Sequence, residues 1–190
     1  MYQVLLADAR FHGLLLAMDN DIAADCRAAG CRCGGVLHGA KFWRKPRGKP
    51  AGLDDAYDQR FSFCCATREC RQRATPPSLR FLGRKVYLAT IVTLVSVMQH
   101  GITAPRLRRL SGVLEVDRRT LARWRAWWRT TFATGQFWQA ASAAFIPPAD
   151  PCRLPASVLE RFAGDAEHNL IALLRFLTPL TGGASMQHAF

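Results

Sequence analysis

Two clusters of cysteines, separated by a basic and strand-like segment, constrain this chain more than any other feature of its sequence. The first cluster, at residues 31–35, reads CRCGG, and the second, at residues 64–70, reads CCATREC. Two short cysteine turns can bring four thiolates onto one tetrahedral zinc ion, and a glycine after a ligand pair lets the backbone curl around the metal. The pattern therefore predicts a small zinc ribbon over residues 31–75.

Four thiols are the preferred ligands of this zinc. Cys65 is preferred to Cys64 because it shares one face of the alternating strand predicted at residues 60–65 with two phenylalanines. Cys64, Cys26 and His38 remain alternative ligands, and a set of buried free cysteines is the competing interpretation. Four thiolates leave no open position for water or substrate, so the predicted role of the zinc is structural. The predicted ligands are Cys31, Cys33, Cys65 and Cys70.

The positive charge of the chain is large and is concentrated in two segments. The formal net charge is +12, with 12 Lys or Arg against 4 acids in residues 41–85 and 8 Arg against 2 acids in residues 106–129. A charge of this size is atypical of a soluble enzyme. It points to a polyanionic partner, with nucleic acid ahead of an acidic membrane.

The compartment is inferred from the absence of targeting signals and from the cysteines. No basic leader precedes Asp8, and the longest apolar stretch, residues 86–98, is too short to span a bilayer. We therefore expect a cytoplasmic protein with no membrane partner. Clustered cysteines in a reducing compartment favour metal binding over disulfides.

Apolar periodicity organises the rest of the chain into helices. Residues 8–29 place apolar side chains at three- and four-residue steps, with Asp19, Asp21 and Asp25 mostly off that face. Apolar residues almost encircle the helix predicted at 166–177, which must be buried inside this protein or against a partner. The predicted fold is α+β, mostly α, with an amphipathic helix (1–30), a zinc ribbon with a basic loop (31–75), a helix-turn-helix (80–133) and a C-terminal helical bundle (135–190) for partner binding or self-association.

The segment after residue 100 has the signals of a helix-turn-helix. Thr103 begins the first helix, Gly112 turns the chain, and Asp117 caps a second helix that is rich in arginine. Trp124 and Trp128 are assigned to packing between the helices. The alternative is a helical hairpin with a solvated arginine face.

Basic residues in two places are the predicted DNA contacts. The loop at residues 44–50 follows a predicted strand (36–43) and is stiffened by two prolines, which suits a clamp on the phosphate backbone. A recognition helix presents its N-terminal side chains to base edges and the others to phosphates. The predicted contacts are Lys45, Arg47, Lys49, Arg71 and Arg73 for phosphates, and Arg118, Arg119, Arg123 and Arg125 on the helix.

These motifs together resemble the zinc-ribbon plus helix-turn-helix proteins of bacterial mobile elements. That group includes the DNA-binding regions of insertion-sequence transposases and their small accessory proteins. The likeness rests on CRCGG at residues 31–35, FCCATRECR at 63–71 and VDRRTLARW at 116–124, and it extends over about residues 31–130. It implies structural zinc and recognition of element DNA, with the arginine-bearing helix in a major groove. The three catalytic carboxylates of such transposases are not recognisable in the chain.

The function expected from the sequence is non-catalytic binding of double-stranded DNA. The protein would act as an accessory, targeting or regulatory subunit of a mobile element's recombinase or transposase. Two alternatives remain open. One is a metal-dependent nuclease or recombinase fragment, for which Asp54, Asp55 and Asp58 are the carboxylates to suspect. The other is an RNA-binding zinc-ribbon protein.

Overall fold

The protein has an α+β fold that is mostly helical, which confirms the predicted class at this level. The computed structural model describes residues 2–44, 46, 49, 53–82, 88–98 and 117–182. The helices are α1 (Tyr2–Ala7), α2 (Ala9–Ala29), α3 (Ala89–Met98), α4 (Arg118–Ala126), α5 (Gln136–Ala141), α6 (Ala156–Leu159) and α7 (Ala166–Leu177), and the strands are β1 (Leu37–Gly39), β2 (Phe42–Trp43), β3 (Gln59–Arg60), β4 (Phe63–Cys65) and β5 (Arg73–Ala74).

Helix α2 has the bounds that its periodicity predicts, and it touches two separate cores. The carboxylate of Asp8 accepts the amide hydrogen of Arg10 at its start, and Gly30 follows its end with a φ of 72°. Phe11 and Leu15 pack into a large cluster of helices, whereas Ala23 packs against the cysteine-bearing strands. The helix therefore joins the two halves of the fold.

The strands form two small antiparallel sheets. In the first, β4 lies between β1 and β5, and in the second β2 pairs with β3. The sequence predicted one strand at 36–43 and one at 60–65, but each is divided into two short strands. Between the two sheets the Ala40 amide still donates to the Ser62 carbonyl at 2.8 Å. The division is therefore an interruption within one long hairpin.

Most of the buried apolar surface belongs to a helical core. Its 18 buried residues come from α1, α2, α3, α4 and α7, with Tyr57, Leu79, Phe81 and Leu88 added from the segments between them. A neighbouring aromatic cluster contains Trp128, Phe132 and Trp138, and leucines of α7 pack into it. Both tryptophans assigned to packing are buried, although Trp124 lies in the helical core and Trp128 in the aromatic cluster.

Helix α7 coincides with the helix predicted at 166–177 and is buried inside this protein. The Asp165 side chain caps it by accepting the amide hydrogen of His168. Four leucines, at positions 170, 173, 174 and 177, are each at most 1% exposed. Other parts of this chain therefore cover the apolar surface of the helix. The sequence allowed burial either inside this protein or against a partner, and the structure shows the first.

Part of the predicted helix-turn-helix lies outside the described residues. This holds for its first helix and its turn, including Thr103 and Gly112. The apolar stretch at residues 86–98 is described from residue 88 onward and forms helix α3. Of the helices that are described, none combines the length and the apolar character needed to cross a membrane.

Candidate metal centre and basic surfaces

Four thiols from distant parts of the chain meet beside the three-stranded sheet. Cys31 and Cys33 lie in the turn between α2 and β1, Cys65 ends β4, and Cys70 lies in the turn before β5. Their sulphur atoms all lie within 4.8 Å of one another. These are the four cysteines that the spacing singled out.

Two tight backbone turns hold the thiols in place. In the first turn, the Gly34 amide donates to the Cys31 carbonyl at 2.8 Å, and the Cys31 amide donates to the Gly35 carbonyl at 2.9 Å. In the second turn, the amides of Cys70 and Arg71 both donate to the Thr67 carbonyl at 3.1 Å. Each turn contains a left-handed residue, Gly34 with a φ of 83° and Arg71 with a φ of 45°. Both turns therefore curl their backbone around the same point.

Gly35 allows the two turns to approach each other. A Cβ at this position would lie 2.3 Å from the Thr67 hydroxyl oxygen and 2.8 Å from the Cys65 sulphur. Both distances are shorter than van der Waals contact. The second glycine of the CRCGG motif is therefore required by the closeness of the backbone to the sulphurs.

The sulphur distances fit a shared metal ion and do not fit disulfides. Cys31 Sγ lies 3.7 Å from Cys70 Sγ, and Cys33 Sγ lies 3.5 Å from Cys65 Sγ. A disulfide requires about 2.0 Å between the sulphurs. Four thiolates around zinc, each with a bond of about 2.3 Å, would stand about 3.8 Å apart at the corners of a tetrahedron. The arrangement is thus compatible with a closed four-thiolate site.

Crowding of the thiols separates their proton affinities. The backbone amide of Gly35, together with hydrogen bonds from the other thiols, lowers the pKa of Cys33 to about 6. The Gln72 amide acts to lower the pKa of Cys70, but the hydrogen bonds that this thiol shares with Cys33, Cys31 and Cys65 outweigh it and raise the pKa to about 12. Because the thiols share hydrogen bonds with one another, the first thiolate forms readily and the next forms less readily.

The three alternative ligands stay outside the cluster. The thiol of Cys64 is directed to the Arg71 carbonyl, 3.6 Å away, because adjacent residues of a strand face opposite sides. His38 is exposed and pairs across the strands with Cys64. Cys26 packs against the small apolar cluster of the sheet, where burial raises the pKa of its thiol.

The predicted phosphate contacts near the sheet have different environments. Lys45 and Arg47 lie outside the described residues. Lys49 is bound to acids of its own chain, with Nζ 2.9 Å from Asp58 and 3.6 Å from Asp55. Arg71 and Arg73 are exposed next to the thiol cluster.

The carboxylates suspected of nuclease chemistry do not converge. Asp54 caps a 3-10 turn by accepting the Ala56 amide hydrogen at 2.9 Å, and Asp55 and Asp58 pair with Lys49. Within the described ranges, the four cysteines are the one group of three or more His, Cys, Asp or Glu side chains arranged to hold a metal ion. The thiols are therefore the candidate metal ligands in the described part of the molecule.

Helix α4 begins where the sequence predicts and displays its arginines. The Asp117 carboxylate accepts the Thr120 amide hydrogen at 2.6 Å, and this bond lowers the pKa of Asp117. Leu121 and Trp124 are buried on one side of the helix. Arg123 donates to the Thr120 hydroxyl at 2.9 Å. The exposed side of the helix carries Arg118, Arg119, Arg123 and Arg125.

The largest omission of the sequence analysis is a buried ion pair. Asp19, expected off the apolar face of its helix, is 1% exposed and lies 2.8 Å from Nε of the fully buried Arg80. The same carboxylate accepts hydrogen bonds from the Ser78 hydroxyl and the Leu79 amide, at 2.5 and 2.7 Å. Arg80 also donates to the carbonyls of Tyr57 and Gln59. This pair ties α2 to the segment that leaves the sheet.

The fold and its thiol cluster define an α+β protein with a candidate four-thiolate metal centre and an arginine-rich helix. Comparison of the chain with protein-family models, with curated proteins and with solved structures finds no match.

Proposed function

We propose that this protein is a non-catalytic, zinc-stabilised binder of double-stranded DNA. Zinc would be held by Cys31, Cys33, Cys65 and Cys70 in a zinc ribbon, and helix α4 would be the second helix of a helix-turn-helix. With four thiolates around it, the metal has no open coordination position and supplies only structure. DNA contact is then the task of the basic surfaces.

The observation that carries the proposal is the exposed and uncompensated arginine surface of α4. Arg118, Arg119 and Arg125 are exposed, and within the described ranges none of them forms an ion pair with a carboxylate. Charges that are balanced internally contribute little to binding of a polyanion. Unbalanced arginines on one helix attract DNA and release its counterions on contact. The net charge of +12 supports the same partner.

The helix would read sequence from its first turn. Arg119 lies one residue after the first residue of α4, where a recognition helix directs side chains at base edges. One arginine bidentate to guanine contributes about 1 to 3 kcal/mol of discrimination. The setting we propose is that of an accessory, targeting or regulatory subunit for a recombinase or transposase in the cytoplasm. It rests on the resemblance of the cysteine and arginine motifs.

The test is binding of purified, zinc-loaded protein to duplex DNA, measured by fluorescence anisotropy over a range of salt concentrations. We expect an affinity that falls steeply with salt, and we expect Arg119→Ala to relax sequence preference in a selection experiment. Arg27→Ala removes an equal charge from an exposed position on α2 and serves as the control. Preference for structured RNA in competition, or nicking of DNA that depends on a divalent metal, would replace the proposal with one of its alternatives.

A further inference from the structure

A groove runs along the exposed side of α4 and continues past the end of the helix. It has a volume of 690 Å³, and its walls include Arg118, Arg125 and Arg129. The other described residues of its lining are Leu121, Ala122, Ala126 and Thr130. Within the part of the chain that the structure describes, no carboxylate lines this groove. The described lining therefore carries three positive charges among small and apolar side chains.

We propose that this groove binds the sugar–phosphate backbone of the nucleic acid, with Arg118, Arg125 and Arg129 as its phosphate ligands. The inference rests on the proposed function and deepens it by assigning the parts of the DNA to different arginines. Arg129 was not among the residues that the sequence singled out. Arg118, which lies at the start of the helix expected to read bases, is assigned to the backbone instead.

The spacing of the three arginines suits a polymeric anion. Residues 118, 125 and 129 recur at seven- and four-residue steps, so they lie along one side of a helix and extend over about 16 Å. A single phosphate ion cannot touch both ends of such a row. Each guanidinium offers a planar pair of donors that matches two phosphate oxygens. The row therefore fits successive phosphates of one strand.

Packing below the groove positions the last arginine. The helix changes to a π-helical turn at Trp127–Phe132, and Trp128 and Phe132 of this turn are buried in the aromatic cluster. The Thr130 hydroxyl donates to the Ala126 carbonyl at 2.6 Å and closes the turn on its exposed side. Arg129 is thereby held on the same side of the helix as Arg125, although regular α-helical geometry has ended before it.

The size of the side chains between the arginines matters because phosphates must come close to the guanidinium groups. Ala122 and Ala126 belong to the lining, and their short side chains do not compete with a phosphate for that space. Arg119 and Arg123 are not part of the lining. The arginines of this segment therefore form two sets. The set that lines the groove would contact the sugar–phosphate backbone, and the set outside the lining would contact the bases.

The experiment compares two triple variants of the full chain, each with three fewer positive charges. The groove variant is Arg118→Ala, Arg125→Ala and Arg129→Ala, and the control is Arg10→Ala, Arg27→Ala and Arg175→Ala, all exposed and none in the groove lining. Zinc content and thermal unfolding verify that both variants fold. The measurement is the slope of log affinity for duplex DNA against log salt concentration.

We expect the groove variant to lose about 0.9 from the magnitude of this slope for each phosphate contact, or about 2.7 in all. The control should keep the wild-type slope, and both variants should keep the wild-type sequence preference. If wild-type protein binds no DNA, the proposed function fails and the inference fails with it. If wild-type protein binds and the groove variant keeps its slope, the groove assignment alone is wrong. Loss of sequence preference at an unchanged slope would make the groove a reader of bases, which also overturns the assignment.

Discussion

The cysteine region (residues 31–74) and the helical core are held together by different forces. The apolar cluster of the cysteine region contains five buried residues, which are Ala23, Leu37, Phe61, Phe63 and Cys65. The helical core contains 18. At about 1.5 to 3 kcal/mol for each large apolar side chain, the smaller cluster cannot balance the conformational entropy of the residues that the structure describes in this region. Small units of this kind depend on a metal or on disulfides.

The difference shows where each region is vulnerable. The cysteine region has its four thiols within 4.8 Å of one another beside a small apolar cluster, so we expect its order to depend on a metal held by those thiols. The helical core depends on packing and loses stability by steps as side chains are removed. Helix α2 passes through both regions, and the Asp19–Arg80 pair lies near the point where they meet. Three measurements separate these contributions, and the expected effect decreases from the metal to the buried ion pair and then to a buried histidine.

Removal of the metal should unfold the cysteine region and spare the helices. Cys70→Ser, or a strong chelator applied to the wild type, takes away a structural zinc whose binding supplies about 10 to 16 kcal/mol in comparable sites. We expect hydrogen exchange to lose protection in β1, β4 and β5 while α3 and α7 keep theirs. Cys152→Ser, which changes an exposed thiol outside the cluster, is the matched control.

Two outcomes would contradict this expectation. If the purified protein holds less than about half an equivalent of zinc, the cysteines are ordinary packing residues and not metal ligands. Full protection of β4 in the Cys70→Ser variant would show that the small apolar cluster is sufficient on its own.

Asp19→Asn should weaken the junction between the two regions. The substitution leaves the fully buried guanidinium of Arg80 without its counter-charge, and breaking a buried pair in this way costs about 3 to 5 kcal/mol. Urea unfolding measures the loss, and Asp21→Asn on the exposed side of the same helix should change little. Replacing both partners, by Asp19→Leu with Arg80→Met, should not restore stability, because the Leu79 amide and the carbonyls of Tyr57 and Gln59 then lose their hydrogen-bond partners. If the double variant is more stable than Asp19→Asn, the unpaired buried charge dominates the loss and these hydrogen bonds contribute little.

The stability of the helical core should depend on pH because of His12. The side chain is fully buried, with Nε2 3.2 Å from the Leu6 carbonyl and Nδ1 3.1 Å from the Tyr57 hydroxyl. Burial lowers the pKa of His12 below its usual value, so the unfolded chain takes up the proton first. Stability is then complete above about pH 6.5 and declines as the pH falls through that value toward the folded pKa.

Comparison of wild type with His12→Asn isolates this effect. The thiols contribute equally to both pH profiles and cancel in the difference. Below about pH 6.5 we expect the wild type to lose up to about 1.4 kcal/mol per pH unit more than the variant, and above about pH 7 the two profiles should run parallel. Parallel profiles throughout would mean that His12 takes up its proton as readily in the folded protein as in the unfolded chain, which contradicts a lowered pKa.

Local chemistry explains what was predictable from the sequence. The four thiols could be selected because strand alternation and short turns act over a few residues, and the same is true of the cap Asp117. The bounds of α2 and α7 follow from a periodicity that lies wholly within each segment. The net charge and the two basic segments could also be read directly from the sequence, because they depend only on which charged residues the chain contains and where they lie in it.

Only the tertiary structure decided which polar groups are buried and which arginines stand together. Asp19 and Arg80 are 61 residues apart, and no spacing rule connects two residues at that distance. The division of the predicted strands depends on cross-strand pairing, and the place of Arg129 in the groove depends on a π-helical turn that is packed against aromatic residues from other elements. Contacts of this kind form when distant segments exclude water together, so their energy resides in the assembled core and in no single stretch of the chain.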